Sequence, residues 1–194
     1  MSGFTRHRTS RLVIANFSGF EADLLRSLAS QLVELLRNER AVPSPGGDPL
    51  EAMFDFSGPT SEPDDPVLRR LFPNAYADDD DASAEFRRYT EGALRDGKAG
   101  SAAAIIDALE DAGLPQQLAE DGLVIDVELA ESDAMSWLRS FTDLRLALAT
   151  RLGIEEGDED YWLTLAEEDP RSRAHDIYEW VGYLQDTLVE SLTT

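Results

Sequence analysis

Residues 92–99, GALRDGKA, come within one position of the phosphate-binding pattern G-x-x-x-x-G-K-[ST]. Gly92, Gly97 and Lys98 fall in place and Ala99 does not; Lys98 is the single lysine among 17 basic residues. A phosphate loop needs a buried strand that delivers the chain to a glycine-rich turn. Its backbone N–H groups then wrap the phosphates, the lysine reaches the terminal ones and a hydroxyl holds magnesium. Upstream of Gly92 stands SAEFRRYTE, which is polar with helical spacing, and the hydroxyl position is an alanine. The stretch therefore reads as a charged helix face, with Arg87 and Arg95 each four residues from Glu91.

Other chemistries find no frame. The chain has no cysteine, which excludes disulfides, thiolate catalysis, zinc–thiolate sites and thiol redox sensing within it. No serine sits in G-x-S-x-G. DDDDASAE lacks the glycine and the alternating ligands of a calcium loop. His7 and His175 are the two histidines; His175 and Glu179 share a helix face, but two ligands do not make a site, and His175 reads as exposed. Carboxylate pairs occur throughout and mean nothing without a pocket. We assign no catalytic, cofactor-binding or metal-binding residues, and expect no cofactor.

Charge narrows the partners. At −22 over 194 residues the surface repels nucleic acid and anionic membranes at long range and suits a partner with a basic patch. SAAAIIDALEDAGLPQQLAEDG has the look of helix–turn–helix. Nine acids and no base lie between Lys98 and Arg139, so that region is not expected to dock on DNA. Two basic sets remain. Arg6, Arg8 and Arg11 precede the first acid, Glu21, on what reads as a mobile arm of residues 1–10. Arg87, Arg88, Arg95 and Lys98 form a candidate interaction face, for which a ladder of intramolecular salt bridges is the plainer reading. No apolar run approaches the about 20 residues of a membrane span, and the N-terminus is a poor signal peptide. A soluble cytoplasmic protein is expected.

The elements that would carry these residues are legible from periodicity. RLVIANF (11–17) reads as a strand, followed by Ser18 and Glu21 at capping-box spacing and a leucine-rich helix to about Asn38. Residues 41–82 hold most of the prolines and read as an irregular acidic segment. Within it, Asp48–Pro49 and Asp65–Pro66 are each placed to start a short helix. Residues 83–96 predict a helix burying Phe86, Tyr89, Ala93 and Leu94, and 101–112 a second; alternatively the two are one helix weakened at Gly97 and Gly100. GLVIDVEL (122–129) is a second strand. A helix capped by Ser132 or Asp133 follows, with Trp137, Leu138, Phe141, Leu144, Leu148 and Leu152 as its stripe and Gly153 as its stop. The last helix covers about 172–192. Met53 and Met135 read as core. Together these predict a single α+β domain, predominantly helical, with a small sheet of about two strands.

The order and spacing of DPLEAMF, DDPVLRRLFPNAY, EFRRYTEGALRDGK, WLRSFTDLRLALATRLGI and YEWVGYLQDTLVESL resemble an actinobacterial domain-of-unknown-function family. Some of its members are named oxidative-stress transcriptional regulators (AosR-like). The resemblance covers nearly the whole chain. It implies a cytoplasmic regulator acting on transcription through a protein partner, such as a sigma factor or another part of the transcription machinery. A gene neighbourhood shared with a Clp-protease adaptor implies a link to proteostasis. On the family pattern Arg87, Arg88, Arg95 and Lys98 match the EFRR…LR…K block. Trp137, Leu138, Asp143, Arg145 and Leu146 match WL…DLRL, with Asp143 and Arg145 as a candidate structural polar pair. A non-enzymatic protein-binding regulator is thus the leading expectation. A DNA-binding regulator using the N-terminal arginines is the alternative, and an enzyme with a carboxylate-lined pocket the third. The absence of cysteine rules out a thiol switch in this chain.

Overall fold

The computed structural model describes residues 3–38, 59–117, 122–166 and 168–193. Its core is assembled on a three-stranded antiparallel sheet in the order β1-β2-β3. Strand β2 (Val13–Ser18) lies in the middle. β1 (Thr5–Arg6) pairs with one edge of it, Thr5 opposite Ile14, and β3 (Val124–Leu129) with the other, Val13 opposite Leu129 and Ser18 opposite Val124. Two short apolar runs from distant parts of the chain thus pair as β2 and β3. Side chains alternate as a half-buried sheet requires: Val13, Ala15, Phe17, Ile125, Val127 and Leu129 are buried and the residues between them are not.

The third strand corrects the expected arm. Phe4 is buried, edge-on to Phe17 at 5.9 Å and to Trp137 at 5.7 Å, and its N–H donates to Thr187 Oγ1. One buried aromatic anchors what charge and lack of periodicity suggested was loose.

Four described helix starts follow from local chemistry. At the start of α1 (Gly19–Asn38), Ser18 and Glu21 form the reciprocal capping box, with Ser18 N–H and Oγ 2.8 and 2.9 Å from Glu21 Oε2. Asp65 caps α2 (Pro66–Leu71), accepting Val67 and Leu68 N–H, with Pro66 at the first helical position. Asp79 accepts Ala82 N–H at the start of α3 (Asp80–Asp111). Helix α4 (Glu131–Leu152) begins after Ala130 rather than at Ser132 or Asp133; Asp133 sits instead in the first turn with Glu131, where the helix dipole favours acids. Gly153 ends α4 at φ 72°, the left-handed conformation a side chain resists. Short α5 (Glu159–Leu163) precedes α6 (Pro170–Thr193). The predicted cap at Asp48 lies outside the described residues.

Helices α1 and α3 pack together, as do α4 and α6, and α3 and α2 both rest on α4. Phe4, Phe17, Trp137 and Phe141 cluster where sheet meets α4. Of the two readings of 83–112, the single helix is the one found: both regions lie in one continuous 32-residue helix that runs through Gly97 and Gly100. No helix among the described residues is long and apolar enough to cross a membrane.

Candidate functional site

Helix α3 packs three charged side chains inward. Its buried face runs Ser83, Arg87, Glu91, Arg95, Ala99, Ala102, Ile105 and Leu109, steps of three and four that hold one side of a helix. Glu91 bridges both arginines: Arg87 Nη1 lies 2.6 Å from Oε2, and Arg95 Nε and Nη2 lie 2.8 and 2.7 Å from Oε1. Further donors of both reach helix ends. Arg87 donates to the Phe72 carbonyl at the C-cap of α2 and to Asn74 Oδ1; Arg95 donates to the Leu36 carbonyl in the last turn of α1 and stacks over the Phe72 ring at 4.8 Å. Carbonyls at helix C-termini lack intrahelical partners and carry partial negative charge, so buried guanidinium groups fit there.

The four basic residues of the candidate interaction face therefore do not share one. Arg87 and Arg95 are 5% and 4% exposed. Arg88 faces solvent and lies over Tyr89. Lys98 points toward α4, its Nζ 2.6 Å from Asp143 Oδ1. Gly92 through Ala99 are helical throughout, so no turn exists to wrap a phosphate. Asp143 and Arg145 are not a pair either. They point to different helices: Arg145 reaches α6, donating to Gln185 Oε1 at 2.9 Å and Tyr178 Oη at 3.3 Å.

Among its exposed charges α3 shows an apolar patch to solvent. Phe86, Tyr89 and Leu94, expected in the core, are 45%, 71% and 49% exposed, and Ala93 is exposed beside them. Tyr76 extends the patch, edge-on to Phe86 at 6.3 Å. Further along, Gly97 and Gly100 keep the outer face low, and a Cβ at either, or at Gly92, would meet nothing within 4 Å. Acids ring the patch: Asp80, Asp81, Glu85 and Asp96 are exposed on the same helix. Two faces at helical spacing compete in residues 83–96, and the more hydrophobic one, which the sequence predicts inward, faces water. The deciding signal lay further on. Counting back from Leu109, Ile105 and Ala102 by threes and fours leads to Ala99, Arg95, Glu91 and Arg87, a phase that splitting the helix at its glycines discards.

A second feature had no sequence signature. An open cleft of about 770 Å³ lies between α4, α5 and α6, lined by Arg145, Trp162, His175 and Tyr178 and rimmed by acids. His175 is half-buried rather than exposed, stacked on Trp162 at 4.9 Å and 3°. Asp158 accepts Glu155 N–H at 3.0 Å and Trp162 Nε1–H at 2.8 Å; the Glu155 backbone bond chiefly holds its carboxyl below the ordinary value. That carboxylate is a clasp for α5, poorly suited to donating a proton. Among the described residues no three His, Asp or Glu converge as metal ligands. Met135 is 38% exposed rather than core, and Met53 lies outside the described residues.

Over residues 1–192 the chain matches the family described as Domain of unknown function (DUF2017). It belongs to that family. The DUF2017 chain is 33% identical over 183 residues to proteins named "Oxidative stress regulator AosR" in Mycobacterium bovis and Mycobacterium tuberculosis, covering 87% of this chain and 77% of theirs. It is 33% identical over 186 residues to the "Putative oxidative stress regulator AosR" of Mycobacterium leprae, covering 89% and 78%. No solved structure matches it. The relatives' names support a regulatory role in the stress response for this member too.

Proposed function

We propose that this protein is a non-enzymatic cytoplasmic regulator that acts on transcription in the stress response by binding a protein partner on the outer face of α3. The observation that carries the reading is the inversion of that helix. Burying an Arg–Glu–Arg ladder is costly unless every group is paired, and exposing Phe86 and Tyr89 leaves apolar area in water. Both become understandable if the aromatic face meets another protein. Aromatic residues at the centre of a patch, ringed by charge, are the usual anatomy of an interface. The ring here is acidic, as is the whole chain, so the partner presents an apolar strip with a basic rim. A sigma factor or another component of the transcription machinery is the kind of partner the family resemblance implies. With no cysteine in the chain, any oxidant signal reaches it without a thiol of its own.

The test compares tagged wild type with Phe86→Ser/Tyr89→Ser at physiological salt, followed by reconstitution with the captured protein. We expect the double variant to keep the wild-type melting temperature and to lose the partner. Equal capture by both would remove this face from consideration.

A further inference from the structure

In a chain of charge −22, the stretch before Glu21 holds Arg6, Arg8 and Arg11 and no acid. The fold fixes these residues on a built turn. His7 N–H donates to the Leu12 carbonyl at 2.8 Å and Arg11 N–H to the His7 carbonyl at 3.1 Å. His7 Nδ1 accepts Ser10 N–H at 3.2 Å and lies 2.9 Å from Ser10 Oγ. Arg11 sits at φ 59°, the one non-glycine residue with positive φ among those described, in a conformation unfavourable for any residue with a Cβ. The turn opens into a cleft of about 710 Å³ whose walls include Arg6, His7, Arg8, Arg11, Glu190 and Ser191. Arg6 is held from behind, its Nη1 3.4 Å from the Leu192 carbonyl and its Nη2 3.8 Å from Glu131. Arg8 and Arg11 are exposed and make no ion pair with any described residue.

We propose that this cleft binds a compact phosphorylated ligand, a small molecule carrying two or more phosphate charges. Guanidinium forks match phosphate oxygens in pairs, and the turn fixes the backbone that carries them, so that only the side chains remain to be ordered on binding. The volume lies within the range of small-molecule sites, about 300–1,000 Å³. Charge decides between a small anion and a polymer. Screening confines the local positive field to about 8 Å at physiological salt. A duplex or a membrane approaches across a far larger surface and meets the net −22. A compact anion enters the cleft and meets chiefly the arginines.

The experiment titrates inorganic pyrophosphate, citrate and duplex DNA separately into the full chain by calorimetry at about 0.15 M salt. The variant is Arg8→Ala/Arg11→Gly, chosen because glycine adopts the Arg11 backbone without strain while removing the charge. The expected result is saturable pyrophosphate binding with Kd of about 1 mM or tighter. It should weaken at least about tenfold in the variant at unchanged melting temperature. Absent binding, or binding equal in the variant, overturns the proposal. Tighter binding of citrate than of pyrophosphate overturns the phosphate assignment. DNA binding that needs both arginines and that pyrophosphate does not displace transfers the site to nucleic acid.

Discussion

Lys98 Nζ and Asp143 Oδ1 lie 2.6 Å apart and tie α3 to α4 at a point where Asp143 is buried and Lys98 keeps a quarter of its side chain in water. The asymmetry sets what each partner does. Burial raises the Asp143 carboxyl above its ordinary 3.8, and the hydrogen bond and charge of Lys98 offset only part of that rise. Lys98→Met strands the buried carboxylate, whereas Asp143→Asn leaves an ammonium that can turn to solvent. We expect Lys98→Met to cost about 1–3 kcal/mol at neutral pH and Asp143→Asn less.

The same pair predicts a pH dependence. Because the native pKa of Asp143 is raised, the folded state takes up a proton before the unfolded chain does as pH falls. The stability linked to this group is fully present below 3.8 and is lost as pH rises through the raised native value. In Lys98→Met the native value rises further. Its deficit against wild type should therefore shrink on going from about pH 7 to about pH 5, measured by urea unfolding at each. A deficit that is constant or grows on acidification contradicts the assignment.

Glu91 carries two buried arginines, so its removal should be among the most damaging single changes. Glu91→Ala removes the carboxylate that bridges both buried guanidinium groups and is expected to cost about 3–5 kcal/mol. Glu91→Gln retains an acceptor for one of them and should cost less. At roughly 2–4 °C per kcal/mol for a domain of this size, the difference is readable by thermal melting. Arg88→Ala, on the solvent side of the same helix, should leave the melting temperature within about 1 °C.

Phe4 makes the N-terminus part of the domain. Phe4→Ala empties space among Phe17, Trp137 and Phe141 and is expected to cost about 3–5 kcal/mol. Deleting residues 1–11 would remove this anchor together with the arginines, so loss of any binding in that truncation would report unfolding. Substitutions at Arg8 and Arg11 separate the two effects, and circular dichroism of the truncation checks the claim.

Where a residue's role was set by its immediate neighbours, reading the sequence succeeded. Ser18 with Glu21, Asp65 with Pro66, and Gly153 mark helix ends through contacts a few residues long. The pairing of β2 with β3 was likewise readable, because both are short apolar runs with β-branched residues. Roles set by distant contacts were not readable. Phe4 is one apolar residue among polar ones, and its partners lie 13 to 137 positions away. The phase of α3 turns Arg87 and Arg95 inward, but the Phe72 and Leu36 carbonyls that receive them lie on other elements and leave no mark on that periodicity. Arg145 packs flat over Gly182, where a Cβ would come within 3.3 Å of its Cζ, a relation between two helices that appears only once they are assembled.

The glycines of α3 provide the sharpest separation of stability from function. Gly92, Gly97 and Gly100 lie inside a helix at ordinary φ with open space where a Cβ would stand. Glycine at such positions costs about 0.5–1 kcal/mol relative to alanine, and no internal contact of the described residues requires it. Replacing all three by alanine should raise the melting temperature by roughly 3–10 °C. If a partner lies along the outer face from Phe86 and Tyr89 toward Gly97 and Gly100, the added methyl groups hold its backbone away. The stabilised variant should then capture the partner less well. A more stable protein with undiminished capture would confine the contact to the aromatic half of the helix, and a less stable one would mean that the glycines serve the fold itself.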